Sequence, residues 1–330
     1  MQHPGKSPLG DLGVKGDLGV NDKVDSLIQN GIKYYDRQLY SYALEEFNKA
    51  LQLDPQSIQA NYEMASTYIQ IKDYRQAIRY ADVIIQTNSQ YSFMGYNLKG
   101  TSLNQLGQID DAIDSFWEGI DHNEDFYLLH YNLGIAYLQK NDALSAESCF
   151  KKSIELNPQH AGSHFQLSLS LINLNLRVES MLSLYYFLLL EPETERARDA
   201  LSMLEKLLYS GIEIDRENSL SFQPISEFAA IDSLLSSQNN HTPTGDSAFF
   251  SLTRYFFSEL ASYQVNYNTS GNIWFSFYIP LFTELADQEL LNVFCHVIRI
   301  STYKTSVSWL QEHQKEVDRL DSFLEAFKYY

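Results

Sequence analysis

The 330-residue sequence predicts an all-α chain, a solenoid of helix-turn-helix repeats followed by a helical C-terminal domain. Three observations predict it. Small residues recur at one spacing within helical sequence, with Ala43, Ala77, Ala112, Ala146 and Ser180 lying 34, 35, 34 and 34 residues apart. A fixed period of this length marks a repeated supersecondary unit. Proline follows several second helices, at Pro55, Pro158 and Pro192, where a residue without an N–H cannot continue the helix and fixes the turn into the next unit. Hydrophobic residues make up 44% of the chain and aromatics 14%, enough for a packed core, and beyond residue 210 apolar residues recur at helical spacings of three and four.

Taken in order, residues 1–23 contain five glycines, two prolines and a duplicated Gly-Asp-Leu-Gly-Val at Gly10 and Gly16. That composition predicts a flexible tail. Residues 24–57 carry Gly31, Tyr34, Ala43, Phe47, Ala50 and Pro55, and residues 127–160 carry Leu133, Gly134, Tyr137, Ala146, Phe150 and Pro158 at matching offsets. Small residues such as Gly31 and Ala43 let paired helix backbones approach while aromatics fill the space beside them. Both segments resemble the consensus of the tetratricopeptide repeat family, of the type found in bacterial proteins with helical C-terminal extensions. In the register they set, residues 58–91 supply Ala65, Tyr68 and Ala77, and residues 93–126 supply Gly100, Ala112 and Phe116 after an inserted Ser92. Residues 161–194 form a degenerate fifth copy with Leu167, Ser168, Ser180 and Pro192, but Leu171 where tyrosine is usual. Residues 195–210 read as an amphipathic cap helix. The stacked units then bury a core none could bury alone.

After residue 211 the period stops and an aromatic-rich helical domain is expected to run to 330. It contains a polar loop at 236–245 and helical patterns around Phe249 to Leu260, 274–285, Leu290 to Ile298 and Trp309 to Phe327. Pro280 either kinks the second pattern or starts it.

The resemblance implies a right-handed superhelix whose first helices line a concave groove. It implies that the second, fifth, ninth, twelfth and thirteenth positions of each unit point inward. Asp25 and Asp36 fall there, and the proposed peptide-binding residues are Tyr35, Tyr62, Ser66, Ile69, Asn97, Thr101, Asn104, Tyr131, Ile135, Leu138, Phe165 and Leu169. None of the lining positions is Lys or Arg, so a clamp on acidic chain ends is not expected, since pairing a carboxylate needs charged donors. The lining runs from acidic and amide-rich to aromatic and aliphatic, suiting a segment with an apolar anchor and carboxamide hydrogen bonds. An apolar groove can also be filled by the chain's own C-terminal helices.

Charge and composition narrow the function. Acidic residues outnumber basic ones 42 to 24, for a net charge of −18. With no Lys/Arg cluster, neither nucleic acid nor an anionic membrane is an expected partner. Cys149 and Cys295 lie far apart and read as buried free thiols. No stretch reaches the ~18 apolar residues of a membrane span, and the first twenty residues lack a signal-peptide core, which predicts a cytoplasmic chain. His160 and His164 have the i, i+4 spacing of metal ligands. His164, however, aligns with His130 at a packing position, and no third ligand is evident. Asp121, Asn123 and Asp125 mimic a calcium loop, but Phe126 and Asn132 stand where its glycine and glutamate belong. Asp110, Asp111 and Asp114 favour a helix N-terminus. No catalytic, cofactor or metal site is therefore expected. The expected function is a scaffold or adaptor that binds a protein or peptide in the groove without catalysis. The alternatives are a structural subunit self-associating through its C-terminal helices, and an enzyme assembled from distant residues of that region.

Overall fold

The computed structural model describes residues 22–210, 228–238, 246–266 and 272–327. The expected tail lies outside them except for Asp22 and Lys23, which open the first helix rather than ending a tail. Most of the expected 236–245 loop is also outside, and residues 236–238 are the end of a helix. All regular structure among the described residues is helical. Contacts divide the chain into two compact units, Met1–Leu156 and Asn157–Tyr330.

The first unit is four helix pairs: α1 (Asp22–Asp36) with α2 (Tyr40–Leu53), α3 (Ile58–Gln70) with α4 (Tyr74–Gln86), α5 (Ser92–Gln105) with α6 (Ile109–His122), and α7 (Tyr127–Gln139) with α8 (Ala143–Leu156). The pairing follows from reciprocal side-chain volumes sixteen residues apart. A Cβ on Gly31, Gly100 or Gly134 would lie 2.3, 2.5 or 2.6 Å from Cε1 of Phe47, Phe116 or Phe150. In the second pair Ala65 stands in the glycine's place, and Ala81, also fully buried, in the phenylalanine's. The combined volume is kept small enough for the helices to touch, as dense packing requires.

Each pair turns through one left-handed residue: Gln38 (φ 60), Lys72 (φ 63), Gly107 (φ 78), Asn141 (φ 62) and, in the fifth pair, Asn175 (φ 58). The next residue donates its N–H back to the fifth residue upstream, as Leu39 does to Tyr34 and Asp73 to Tyr68, both at 2.9 Å. This closes a Schellman motif that satisfies the last carbonyls of the first helix.

The second unit opens with the fifth pair, α9 (Ala161–Asn173) and α10 (Arg177–Leu190), then α11 (Glu195–Ser210), α12 (Ala229–Gln238) and α13 (Asp246–Asn266). A π-helical turn at Trp274–Tyr278 runs into α14 (Ile279–Asp287), followed by α15 (Leu291–Val297), α16 (Lys304–Glu312) and α17 (Gln314–Phe327). Pro280 sits in the first turn of α14 directly after the π-helical turn, whose Tyr278 and Ile279 backbones are already helical and whose Ile279 N–H reaches the Trp274 carbonyl. The winding therefore passes through the proline by widening the turn before it rather than by starting a new helix.

The fifth repeat therefore packs within the C-terminal compact unit, which begins at Asn157. Its second helix explains why. In α10 every residue from Arg177 to Leu188 is buried, whereas α6 exposes Trp117 at 46%. A helix apolar on all sides must be covered on all sides. Tyr185 is the hub of that cover, with ring centroids 5.1 to 6.0 Å from Phe256, Phe257, Phe282 and Phe294. Its hydroxyl is 2.8 Å from Thr253 Oγ1. Both cysteines are buried and free, and burial pushes each thiol up to about 12. Among the described residues no helix is long and apolar enough to cross a membrane.

Candidate functional site

In the first unit α1, α3, α5 and α7 pack against one another in sequence, α1 on α3, α3 on α5 and α5 on α7, while the second helices make no comparable contacts among themselves. The faces of the first helices are thus drawn together into one surface. Ten of the twelve proposed residues belong to this unit; Phe165 and Leu169 belong to the other.

Along that surface Tyr35, Tyr62, Ser66, Asn97 and Asn104 are buried, and Ile69, Thr101, Tyr131, Ile135 and Leu138 are half-buried. Burial, then the nearby Glu63 carboxylate, raises the phenol pKa of Tyr35 and Tyr62, so both keep their protons. At its middle the surface is a hydrogen-bonded amide cluster. Asn132 Nδ2 donates to Asn97 Oδ1 at 2.8 Å and to Thr101 Oγ1 at 3.4 Å, and Thr101 Oγ1 donates to the Asn97 carbonyl at 2.7 Å. Asn97, Thr101 and Asn104 share one face of α5 by their spacing of four and three. Asn104 is 7% exposed, and its Oδ1 accepts no hydrogen bond. Towards α7 the surface becomes apolar with Tyr131, Ile135 and Leu138. In the second unit Phe165 packs on Phe187 of its own pair, with centroids 5.0 Å apart.

Asn132 and Glu63 escape the position counting that marks the lining. They occupy the sixth position of their units, and from there Asn132 reaches back to the preceding unit. For Asn132 the available signal is a polar residue inside the largely apolar α7; α3, with Gln59, Asn61, Ser66 and Thr67 around Glu63, offers none.

The histidines have another task. His130 Nε2 lies 2.8 Å from the Glu124 carbonyl and His164 Nε2 2.9 Å from the Pro158 carbonyl. Asn61, at the same repeat position, donates to the Pro55 carbonyl at 3.1 Å. Each side chain ties the carbonyl six residues upstream and so pins the turn entering its unit. His164 Nδ1 lies 2.6 Å from the Tyr278 hydroxyl. With Nε2–H donating to a carbonyl, Nδ1 accepts from the phenol, and both ring nitrogens are occupied. Burial holds His164 down to about 3 and His160 to about 4, so both are neutral at pH 7. His160 Nδ1 is 2.8 Å from Ser163 Oγ. No group of three metal-ligating side chains occurs among the described residues.

Residues 127–160 match the family model described as the tetratricopeptide repeat. A TPR repeat-containing protein of Methanocaldococcus jannaschii is 29% identical over 129 residues, 39% of this chain and 22% of that protein. The protein named as a probable UDP-N-acetylglucosamine–peptide N-acetylglucosaminyltransferase SPINDLY of Hordeum vulgare is 26% identical over 136 residues, 39% of this chain and 14% of that one. The chain thus spans less than a quarter of these two relatives. Among solved structures, PilF of Pseudomonas aeruginosa aligns with a TM-score of 0.49 at 21% identity, over 58% of this chain and 93% of that one. A tetratricopeptide protein of Thermus thermophilus aligns with a TM-score of 0.48 at 18% identity, over 56% of this chain and 98% of that one.

Proposed function

We infer that this chain, a tetratricopeptide-repeat protein, is an interaction scaffold that holds an extended polypeptide segment on the joined faces of α1, α3, α5 and α7. The observation that carries the reading is the passage, along one surface, from the amide cluster of Asn97, Thr101, Asn104 and Asn132 to the half-buried Tyr131, Ile135 and Leu138. An extended peptide presents unpaired backbone N–H and C=O groups, which carboxamides can meet with either polarity. An apolar side chain of the same peptide gains by leaving water against Ile135 and Leu138. The amide, hydroxyl and aliphatic groups of this set suit a peptide held by hydrogen bonds and apolar contact.

Panning a random-peptide phage library on the intact chain tests this. Enriched peptides should bind the wild type and lose roughly tenfold in affinity for each of Tyr131→Ala, Ile135→Ala and Leu138→Ala, about the loss of one anchor contact. Far-UV circular dichroism should stay unchanged. A library that yields no enriched sequence, or peptides indifferent to all three changes, overturns the reading.

A further inference from the structure

We propose that the segment held on this surface is a cationic one, carrying lysine or arginine side chains. This rests on the groove reading above and names its partner's chemistry. The surface is rich in acceptors and poor in charged donors. No lining position of the first unit is Lys or Arg, and α3 and α7 contain neither residue. The one cation of α5, Lys99, is turned away to Asp82 of α4 at 2.9 Å. Lys140, just past α7, is held by Asp110 at 2.7 Å. Lys23 and Lys33 of α1 fall outside the lining register.

Against these absences stand exposed carboxylates at two lining positions of α1, Asp25 and Asp36. Three helical turns separate them, about 16 Å along the axis, so they bracket the length of that face. The amide cluster leans the same way. Asn97 Oδ1 and Thr101 Oγ1 are supplied by Asn132, but Asn104 Oδ1, further along the same face, is buried with no donor. A buried acceptor left unmet is costly, and a partner's N–H removes the cost once the Asn104 amide turns towards the surface, the oxygen itself being covered here. An acidic segment would add acceptors to acceptors and meet like charge. A cationic one supplies donors and opposite charge together, which selects its partner.

The test uses the full-length chain and three fluorescein-labelled synthetic peptides with identical apolar anchors, differing only in whether the intervening residues are Lys, Gln or Glu. Fluorescence anisotropy should rank Lys tightest, Gln next and Glu weakest, with roughly tenfold between the extremes at low salt. The double change Asp25→Asn, Asp36→Asn should weaken the Lys peptide by roughly fivefold while leaving the Gln peptide unchanged. The matching pair Asp114→Asn, Asp121→Asn on the exposed face of α6 controls for the general attraction of an acidic protein and should change nothing. Lys and Gln peptides binding equally would overturn the cationic partner and leave the groove standing. Loss of Lys-peptide binding in the α6 variant rather than the α1 variant would overturn it too, by moving the contact off the groove. Failure of all three peptides to bind removes the groove reading itself.

Discussion

Gly134 shows how tightly a single position is set. An added Cβ would lie 2.6 Å from Phe150 Cε1, so Gly134→Ala must push a fully buried ring. The overpacking, about 1–3 kcal/mol, should exceed the ~1 kcal/mol that alanine gains over glycine in a helix. Thermal denaturation should show a lower Tm for Gly134→Ala, and Phe150→Leu in the same chain should recover part of it, because the two sites are in contact. Lys72 is the opposite case. It occupies the left-handed turn position at φ 63 where the next unit has Gly107, a conformation costing a non-glycine residue roughly 1–2 kcal/mol. Lys72→Gly should therefore raise stability by about 0.5–1 kcal/mol after the greater chain entropy of glycine is subtracted, seen as a higher urea midpoint. Gly107, Asn141 and Asn175 mark this turn by residue type, since Gly and Asn tolerate positive φ. Gln38 and Lys72 do not, and the period alone places them.

At the scale of elements, one side chain of α10 ties together the end of α11 and the face of α12. Arg177 is 3% exposed; its Nε donates to the Leu207 carbonyl at 2.7 Å and its terminal nitrogens to the Leu208 carbonyl, Asp232 and Ser236. Two of these acceptors are end carbonyls of α11, which have no partner within their own helix. Arg177→Ala strands them and should destabilise the second unit by about 2–4 kcal/mol. Pulse proteolysis should then cleave beyond Asn157 at lower urea than in the wild type. Arg177→Lys should rescue little, because an ammonium cannot reach four acceptors in a fork geometry. A lone arginine at the start of an apolar helix carries no sign of this role in sequence, since its partners lie 30 to 59 residues away.

For the whole molecule the buried His164 and the half-buried His160 set a direction for pH. His164 and His160 titrate near 3 and 4 when folded, against about 6.5 when unfolded. The unfolded chain therefore takes up protons first as pH falls below 6.5, and stability declines from there towards pH 4 to 3, by up to about 1.4 kcal/mol per pH unit for each group. Tm should be lower at pH 5 than at pH 7. His164→Asn keeps a donor for the Pro158 carbonyl, as Asn61 does for Pro55, but loses the Tyr278 contact. It should be less stable at pH 7 and fall less steeply on acidification.

Residue order alone dictates the helix pairs, their step of 34 or 35 residues and the small residues that let each pair close. These are local facts: a periodic pattern, a proline after a helix and a Gly–Phe reciprocity all act within one unit. Counting also marks the face of α1, α3, α5 and α7, because a helical register follows from position. Which polar groups on that face meet depends on the packing of neighbouring units, as Asn132 reaches across 35 residues to Asn97. Membership of the fifth pair in the second unit is likewise a matter of packing. Leu184 to Leu190 announces a buried helix, but what buries it is the ring cluster of Phe256, Phe257, Phe282 and Phe294 around Tyr185. Those rings come from sequence far downstream of the helix they cover. Hydrophobic burial has no direction and no spacing rule, so a helix that is apolar all round states its need for cover without naming the cover.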